Sequence, residues 1–266
     1  MPELPEVELT RRQLRAAMER ARFDQVVVRR ADLRYPLPAD FAARLQGRTV
    51  RALGRRAKYL IVELSSGETL VMHLGMSGSF AVSKGPVAQF DMHDHVVFQM
   101  SSGRAVVYND PRRFGLMRLL EGGLASDPVL GALGAEPLGA AFDARALARA
   151  LRGRKTTLKA ALSDQRVVAG LGNIYVCEAL HRARLSPRRR AATLVSRSGA
   201  PRPALTALVT SIRTVLTDAL DQRRSGDRFR VYDREGRRCP RRGCRGAIRR
   251  ILQNGRSTFF CPVCQR

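Results

Sequence analysis

At 266 residues the chain is long enough to bury a substantial core and to divide into two or three domains. No apolar run approaches the ~18 residues that cross a bilayer, and no charged-then-apolar leader opens the chain, so a soluble, unexported, cytoplasmic protein is expected. Lysine and arginine total 48 against 23 acidic residues, a net charge of +25 that points to a polyanion, nucleic acid above all, bound in a salt-dependent way.

Only four of those 48 cations are lysine, which an arginine-rich codon habit would explain; it would not explain the shortage of acids. In chain order, "VELTRRQLRAAMERARF" places Val7, Leu14, Met18 and Ala21 on one helical stripe, with Pro5 and Glu6 suited to a helix start. Strand-like runs follow: "TVRAL", "KYLIVEL", "TLVMHL", "HVVFQM" and "RAVVY", with "SSGE" and "SSGR" as hairpin turns. These predict an antiparallel β-sandwich reaching to about Leu120. The Gly- and Pro-rich "EGGLASDPVLGALGAEPLG" reads as a linker. Helical signals take over in "FDARALARALRG", with Asp143 as N-cap and Gly153 at the end, then in "LKAALSDQ", "IYVCEALHRARL" and "PALTALVTSIRTVLTDAL". From about Phe229 the chain is arginine-dense and carries four cysteines. The expected class is α+β and multidomain: a sandwich domain at 1–122, a linker at 123–140, a helical domain at 141–226 and a finger at 227–266.

Cys239 and Cys244 have four residues between them, Cys261 and Cys264 have two, and sixteen separate the pairs. That spacing predicts one structural zinc ion held by four thiolates, with no open position for water. The finger's apolar residues (Ile248, Ile251, Leu252, Phe259, Phe260, Val263) are too few for a core, so the metal must supply much of its folding energy. "AIRRILQNGRSTFFC" reads as two strands around an Asn254-Gly255 turn, with Arg256 just past the tip. Cys177, the fifth cysteine, reads as buried core.

The opening "MPELPEVELT" admits two readings. One is a trimmed terminus leading into a helix. The other is chemical: removal of Met1 would expose the secondary amine of Pro2 beside Glu3, and such an amine can attack a sugar carbon to form an iminium ion.

Taken together, "PELPEVE", "RRAKYL", "HLGMSGS", "HDH", "NDPRRFG", "KTTLKAALSDQ", "GLGNIYVCEAL" and the cysteine hairpin resemble the formamidopyrimidine-DNA glycosylase family of bacterial enzymes that excise oxidised purines. The order of the motifs along nearly the whole chain carries the resemblance. It implies a β-sandwich, a helix–two-turn–helix domain and a zinc β-hairpin finger, acting as a monomer on damaged double-stranded DNA. It implies Pro2 as nucleophile and Glu3 as general acid. A free α-amino group has a pKa of ~7.7–8.0, and the positive end of a helix enlarges its neutral fraction. Lys58 would assist β-elimination and Arg256 the δ step, beside the plainer readings of a strand-start cation and a phosphate clamp.

The target base must be everted, and the resemblance implies Met76, Arg112 and Phe114 as the residues that fill the gap. Alone, Met76 would read as core and Phe114 as either tucked in or facing DNA. Phosphate contacts map to His93, Arg112, Lys155 and Asn173; His93 and His95 could otherwise form a metal pair. "GLGN" ahead of a helix offers amides to an anion but is no dinucleotide fingerprint. The chain departs from the family at "RRSGDRFR", between Gln222 and Val231, which is too short for the usual segment over the everted base. A more open pocket and weaker or shifted discrimination among lesions are therefore expected. Rival readings are an endonuclease VIII-type glycosylase for oxidised pyrimidines and a non-catalytic zinc-bearing nucleic-acid-binding protein.

Overall fold

The structure, a computed structural model, describes residues 1–87, 89–221 and 229–266. The chain forms two units, Met1–Ala132 and Leu133–Arg266.

The first unit opens with helix α1 (Leu4–Met18), which buries Leu4, Val7, Leu14 and Met18. The stripe read from the sequence extends to Ala21, but the helix stops short of it. Arg20 turns into the left-handed region (φ 65°) and its amide donates to Val50 O at 2.8 Å, so pairing with a strand redirects the chain. Strand β1 (Phe23–Val28) follows, then the short helix α2 (Phe41–Leu45). Seven further strands complete two antiparallel sheets: β2 (Val50–Arg56), β3 (Tyr59–Leu64), β4 (Thr69–His73), β5 (Ser79–Lys84), β6 (Asp94–Met100), β7 (Arg104–Asn109) and β8 (Leu116–Leu120).

The sheet orders are β1-β6-β7-β5 and β2-β3-β4-β8. Alternate residues of both, Val96, Phe98, Val106 and Tyr108 from one and Leu53, Leu60, Val62, Leu70 and Met72 from the other, meet with α1 in one core. This is the antiparallel sandwich expected from the strand-like runs and their hairpin turns. Three strands, β1, β5 and β8, lie outside the runs read from the sequence. All are sheet edges, and β5 buries only Phe80. The stretch read as a linker holds a short 3-10 turn (Leu124–Ser126), and Asp127 caps the amides of Val129 and Leu130 while pairing with Arg118 at 3.1 Å.

The second unit contains α3 (Ala144–Leu151), α4 (Leu158–Ser163), α5 (Asn173–Arg182) and α6 (Pro203–Leu220), then the hairpin β9 (Arg249–Gln253) and β10 (Arg256–Phe260). Asp143 caps α3 by accepting from the Ala146 amide at 2.6 Å, as its position predicts. Helix α5 packs against α4, α6 and β10. Asn254 (φ 50°) and Gly255 (φ 69°) form the two-residue turn that pairs Arg256 with Gln253. Ile248, Phe259 and Phe260 are buried, but Leu252 is 74% exposed and Val263 half exposed, so the finger's apolar core is smaller than its composition suggests. The short connection after Gln222 lies largely outside the described residues.

Candidate nucleic-acid interface and metal centre

In the first unit Pro2 is half-buried directly ahead of α1, and Glu3, almost wholly buried, is the helix N-cap. The Glu3 amide donates to Glu6 Oε2 at 3.0 Å in a capping box. The plain reading of "PELPE" as a helix start is thus met, with Glu3, next to Pro2, at the N-cap. Helix α1 packs on β2 and β3, and Lys58 is buried in the turn that joins those strands, after Ala57 in the left-handed region (φ 52°).

His73, at the end of β4, has no role in the sequence reading, although it heads "HLGMSGS". Its Nδ1 accepts the Gly75 amide at 3.0 Å and its ring lies 4.8 Å from that of Tyr59. Burial, with the nearby charges of Lys58 and Arg34, pulls its pKa down to about 4. The ring is therefore neutral at pH 7, with its proton on Nε2.

Met76 and Phe114, each 43% exposed, sit on two loops, 74–78 and 110–115. Core burial is thereby set aside for both. The Arg112 guanidinium lies 4.8 Å from the centre of the Phe114 ring. A Cβ on Gly75 would come within 2.3 Å of the Phe114 carbonyl carbon, so the loops touch backbone to backbone. His93 is tied to the second loop, since its carbonyl accepts the Asp110 amide at 3.0 Å. His95 is buried, with Nε2 2.9 Å from Asp110 O.

In the second unit Lys155 is exposed just ahead of α4. Gln165 holds the α4–α5 connection at both ends, donating to Leu171 O at 2.7 Å and accepting from the Gly170 amide at 2.9 Å. Asn173, the first residue of α5, donates through Nδ2 to Ser257 O at 2.9 Å, which brings it beside exposed Arg256. Lys159 is a residue that the sequence reading misses. Buried on α4, it is held below its usual pKa by burial, with Arg256 opposing its charge and Cys177 favouring it. Its only signal in the sequence is that it is one of four lysines in the chain.

Cys239, Cys244, Cys261 and Cys264 converge with their sulfurs all within 4.8 Å. The Cys239–Cys264 and Cys244–Cys261 separations are 3.8 and 3.6 Å. A tetrahedral site with Zn–S bonds of ~2.3 Å has edges of about 3.8 Å, so the quartet fits that ion. Burial and the neighbouring thiols of Cys261 and Cys239 push Cys264 up to about 12, and a bound dication would reverse that preference. His181 Nε2 lies 3.3 Å from Cys239 Sγ, and the Arg241 guanidinium donates to His181 O at 2.5 Å, joining finger to helix end. Glu178 accepts three amides, those of Arg230, Val231 and Tyr232, at 2.9–3.0 Å, and so anchors the start of the finger. Cys177 is buried with Val231 and Phe259, as read.

Two family models match: the formamidopyrimidine-DNA glycosylase N-terminal domain over residues 1–117, and the H2TH domain of the same glycosylase over 133–231. Formamidopyrimidine-DNA glycosylases of Rhodopseudomonas palustris (strain BisA53) and Bradyrhizobium sp. (strain ORS 278) are each 55% identical, with all of both chains covered. These alignments run over 293 positions against 266 residues here, so the relatives hold residues that this chain lacks. The MutM (Fpg) protein from Thermus thermophilus superimposes with a TM-score of 0.84 at 36% identity, covering 99% of this chain and 98% of that one. The Lactococcus lactis formamidopyrimidine-DNA glycosylase, bound non-covalently to DNA containing an AP site, superimposes with a TM-score of 0.87 at 31% identity over the whole of both chains. With relatives this similar along its full length, the chain belongs to the formamidopyrimidine-DNA glycosylase family of DNA-binding repair enzymes.

Proposed function

We propose that the protein is a bifunctional DNA glycosylase and AP lyase of base excision repair, acting as a monomer in the cytoplasm on oxidised purines such as 8-oxoguanine and formamidopyrimidines. The observation that carries this reading is the pairing of a full-length family match with Pro2 and buried Glu3 at the start of α1. Once Met1 is removed, the Pro2 nitrogen attacks C1′ and the damaged base leaves with the C1′–N bond electrons. Glu3 protonates O4′ as the sugar ring opens, giving an iminium ion on Pro2. Loss of a C2′ proton then breaks the bond to the 3′-phosphate, and a second elimination releases the 5′-phosphate. Lys58 assists the first elimination and Arg256 the second.

Met76, Arg112 and Phe114 fill the space left by the everted nucleotide, while His93, Arg112, Lys155 and Asn173 hold phosphates. Their exposed or half-buried positions on loops and helix starts support these assignments. The labour divides along the segments 1–122, 141–226 and 227–266, with 123–140 as connection. Cys239, Cys244, Cys261 and Cys264 hold one structural zinc ion, which cross-links the finger and takes no part in the chemistry.

Borohydride trapping tests this reading. Wild-type chain lacking Met1 should form a reduced covalent adduct with a duplex carrying 8-oxoguanine or an abasic site. Pro2→Ala should give no adduct. Glu3→Gln should lose base excision while still trapping on a pre-formed abasic site. An active wild-type protein that yields no adduct would overturn it.

A further inference from the structure

We infer that Asp110 is a positioning residue that fastens the two loops bearing Met76, Arg112 and Phe114 into one rigid wedge. The inference rests on the reading of those three side chains as the ones that enter the duplex. It adds a residue that cannot touch DNA itself, since Asp110 is 0% exposed.

The Asp110 carboxylate reaches both loops. Oδ1 accepts the Ser77 hydroxyl at 2.6 Å, on the loop of Met76. Oδ2 accepts the Gly115 amide at 2.8 Å, at the far end of the loop of Arg112 and Phe114, and the Tyr108 hydroxyl at 3.1 Å. Ser77 Oγ passes the link on by accepting the Arg112 amide at 3.2 Å. The main chain of Asp110 is held as firmly, with its amide on His93 O at 3.0 Å and its carbonyl accepting from the Arg113 amide at 3.2 Å. Among the described residues no cation pairs with this carboxylate; three hydrogen-bond donors answer its charge.

The packing leaves the loops no slack. A Cβ on Gly75 would meet the Phe114 backbone at 2.3 Å, and one on Gly78 would meet Leu74 O at 2.4 Å. One on Gly115 would meet the Tyr108 hydroxyl at 1.7 Å. The Tyr108 phenol is buried against the Asp110 charge, which raises its pKa and keeps it a donor. A buried carboxylate that accepts from both loops, at a point where their backbones touch, fixes the distance between Met76 and Phe114. A wedge that must enter a base stack needs that rigidity, because a loose side chain must lose its freedom at the moment of insertion.

The test compares two duplexes, one carrying 8-oxoguanine and one a pre-formed abasic site, each with 2-aminopurine beside the lesion to report opening of the stack. An abasic site has no base to unstack and depends less on the wedge. Asp110→Asn keeps the volume but cannot accept from all three donors. It should slow single-turnover excision and the 2-aminopurine rise by about ten-fold or more, while borohydride trapping on the abasic duplex changes by less than about two-fold. Ser77→Ala, which cuts one arm and leaves the carboxylate, should move the same ratio in the same direction, and it decides the matter if Asp110→Asn does not fold. Equal loss on both duplexes, or no loss on either, overturns the inference. Failure of the wild-type chain to trap on the abasic duplex would instead overturn the proposed chemistry at Pro2.

Discussion

The Asn173 side chain donates to the backbone carbonyl of Ser257 at 2.9 Å, a bond between residues 84 apart in sequence. It joins the first turn of α5 to the strand that begins at Arg256, so two residues assigned separate tasks from the sequence share one anchor. Asn173→Ala should cost about 1 kcal/mol through that bond and weaken binding to an abasic duplex by roughly five-fold. It should also leave more product stopped after the first elimination. Fluorescence anisotropy and gel analysis of the cleaved ends would read both effects, and an unchanged product ratio would separate Asn173 from Arg256.

The cysteine quartet makes the finger conditional on metal. Chelation should release about one zinc ion per chain and lower affinity for duplex DNA by about a hundred-fold or more, because the arginines of β9 and β10 lose their scaffold. Cys261→Ser should act in the same direction. Elemental analysis beside anisotropy tests this; a metal-free chain that binds as tightly as the loaded one would contradict it.

His73 gives the first unit a pH dependence. Its pKa is lowered from 6.5 to about 4 by burial, aided by Lys58 and Arg34, so the unfolded chain binds the extra proton more readily than the folded one. Its contribution to stability is full above about 6.5 and is lost as the pH falls from there toward about 4. Protonation would also break the bond from the Gly75 amide to Nδ1. Thermal melts of wild type and His73→Asn at pH 7 and pH 5 should converge as the pH drops; parallel curves would refute this.

The brevity of the segment between Gln222 and Val231, in relatives' alignments that run longer than this chain, predicts weak discrimination among lesions. Excision rates for 8-oxoguanine, a ring-opened purine and an oxidised pyrimidine should fall within about ten-fold of one another, a span of roughly 1.4 kcal/mol in barrier height. Strong preference for 8-oxoguanine would count against an open pocket, and preference for the pyrimidine would favour the endonuclease VIII-type reading.

Much of this was legible from residue types and short spacings. The cysteine pairs converge as their intervals require, Asn254-Gly255 makes the turn that its two positive φ angles demand, and Asp143 caps α3. The central strands follow their apolar runs because both faces are buried, Val96, Phe98 and Val106 in the common core and Val97, Ala105 and Val107 on the other side. Each of these features is settled within a few residues, or by a ligand geometry that spacing alone can satisfy. Strands β5 and β8 escaped because each buries a single side chain, Phe80 and Met117, and β1 because Asp24 and Gln25 interrupt its apolar run. The Ser77–Asp110 bond spans 33 residues, so although Asp110 lies within "NDPRRFG", no spacing along the chain gives its partner. Its role arises where the glycines of two loops let backbones meet, a closeness that comes from packing the sheets together and has no periodic trace along the chain.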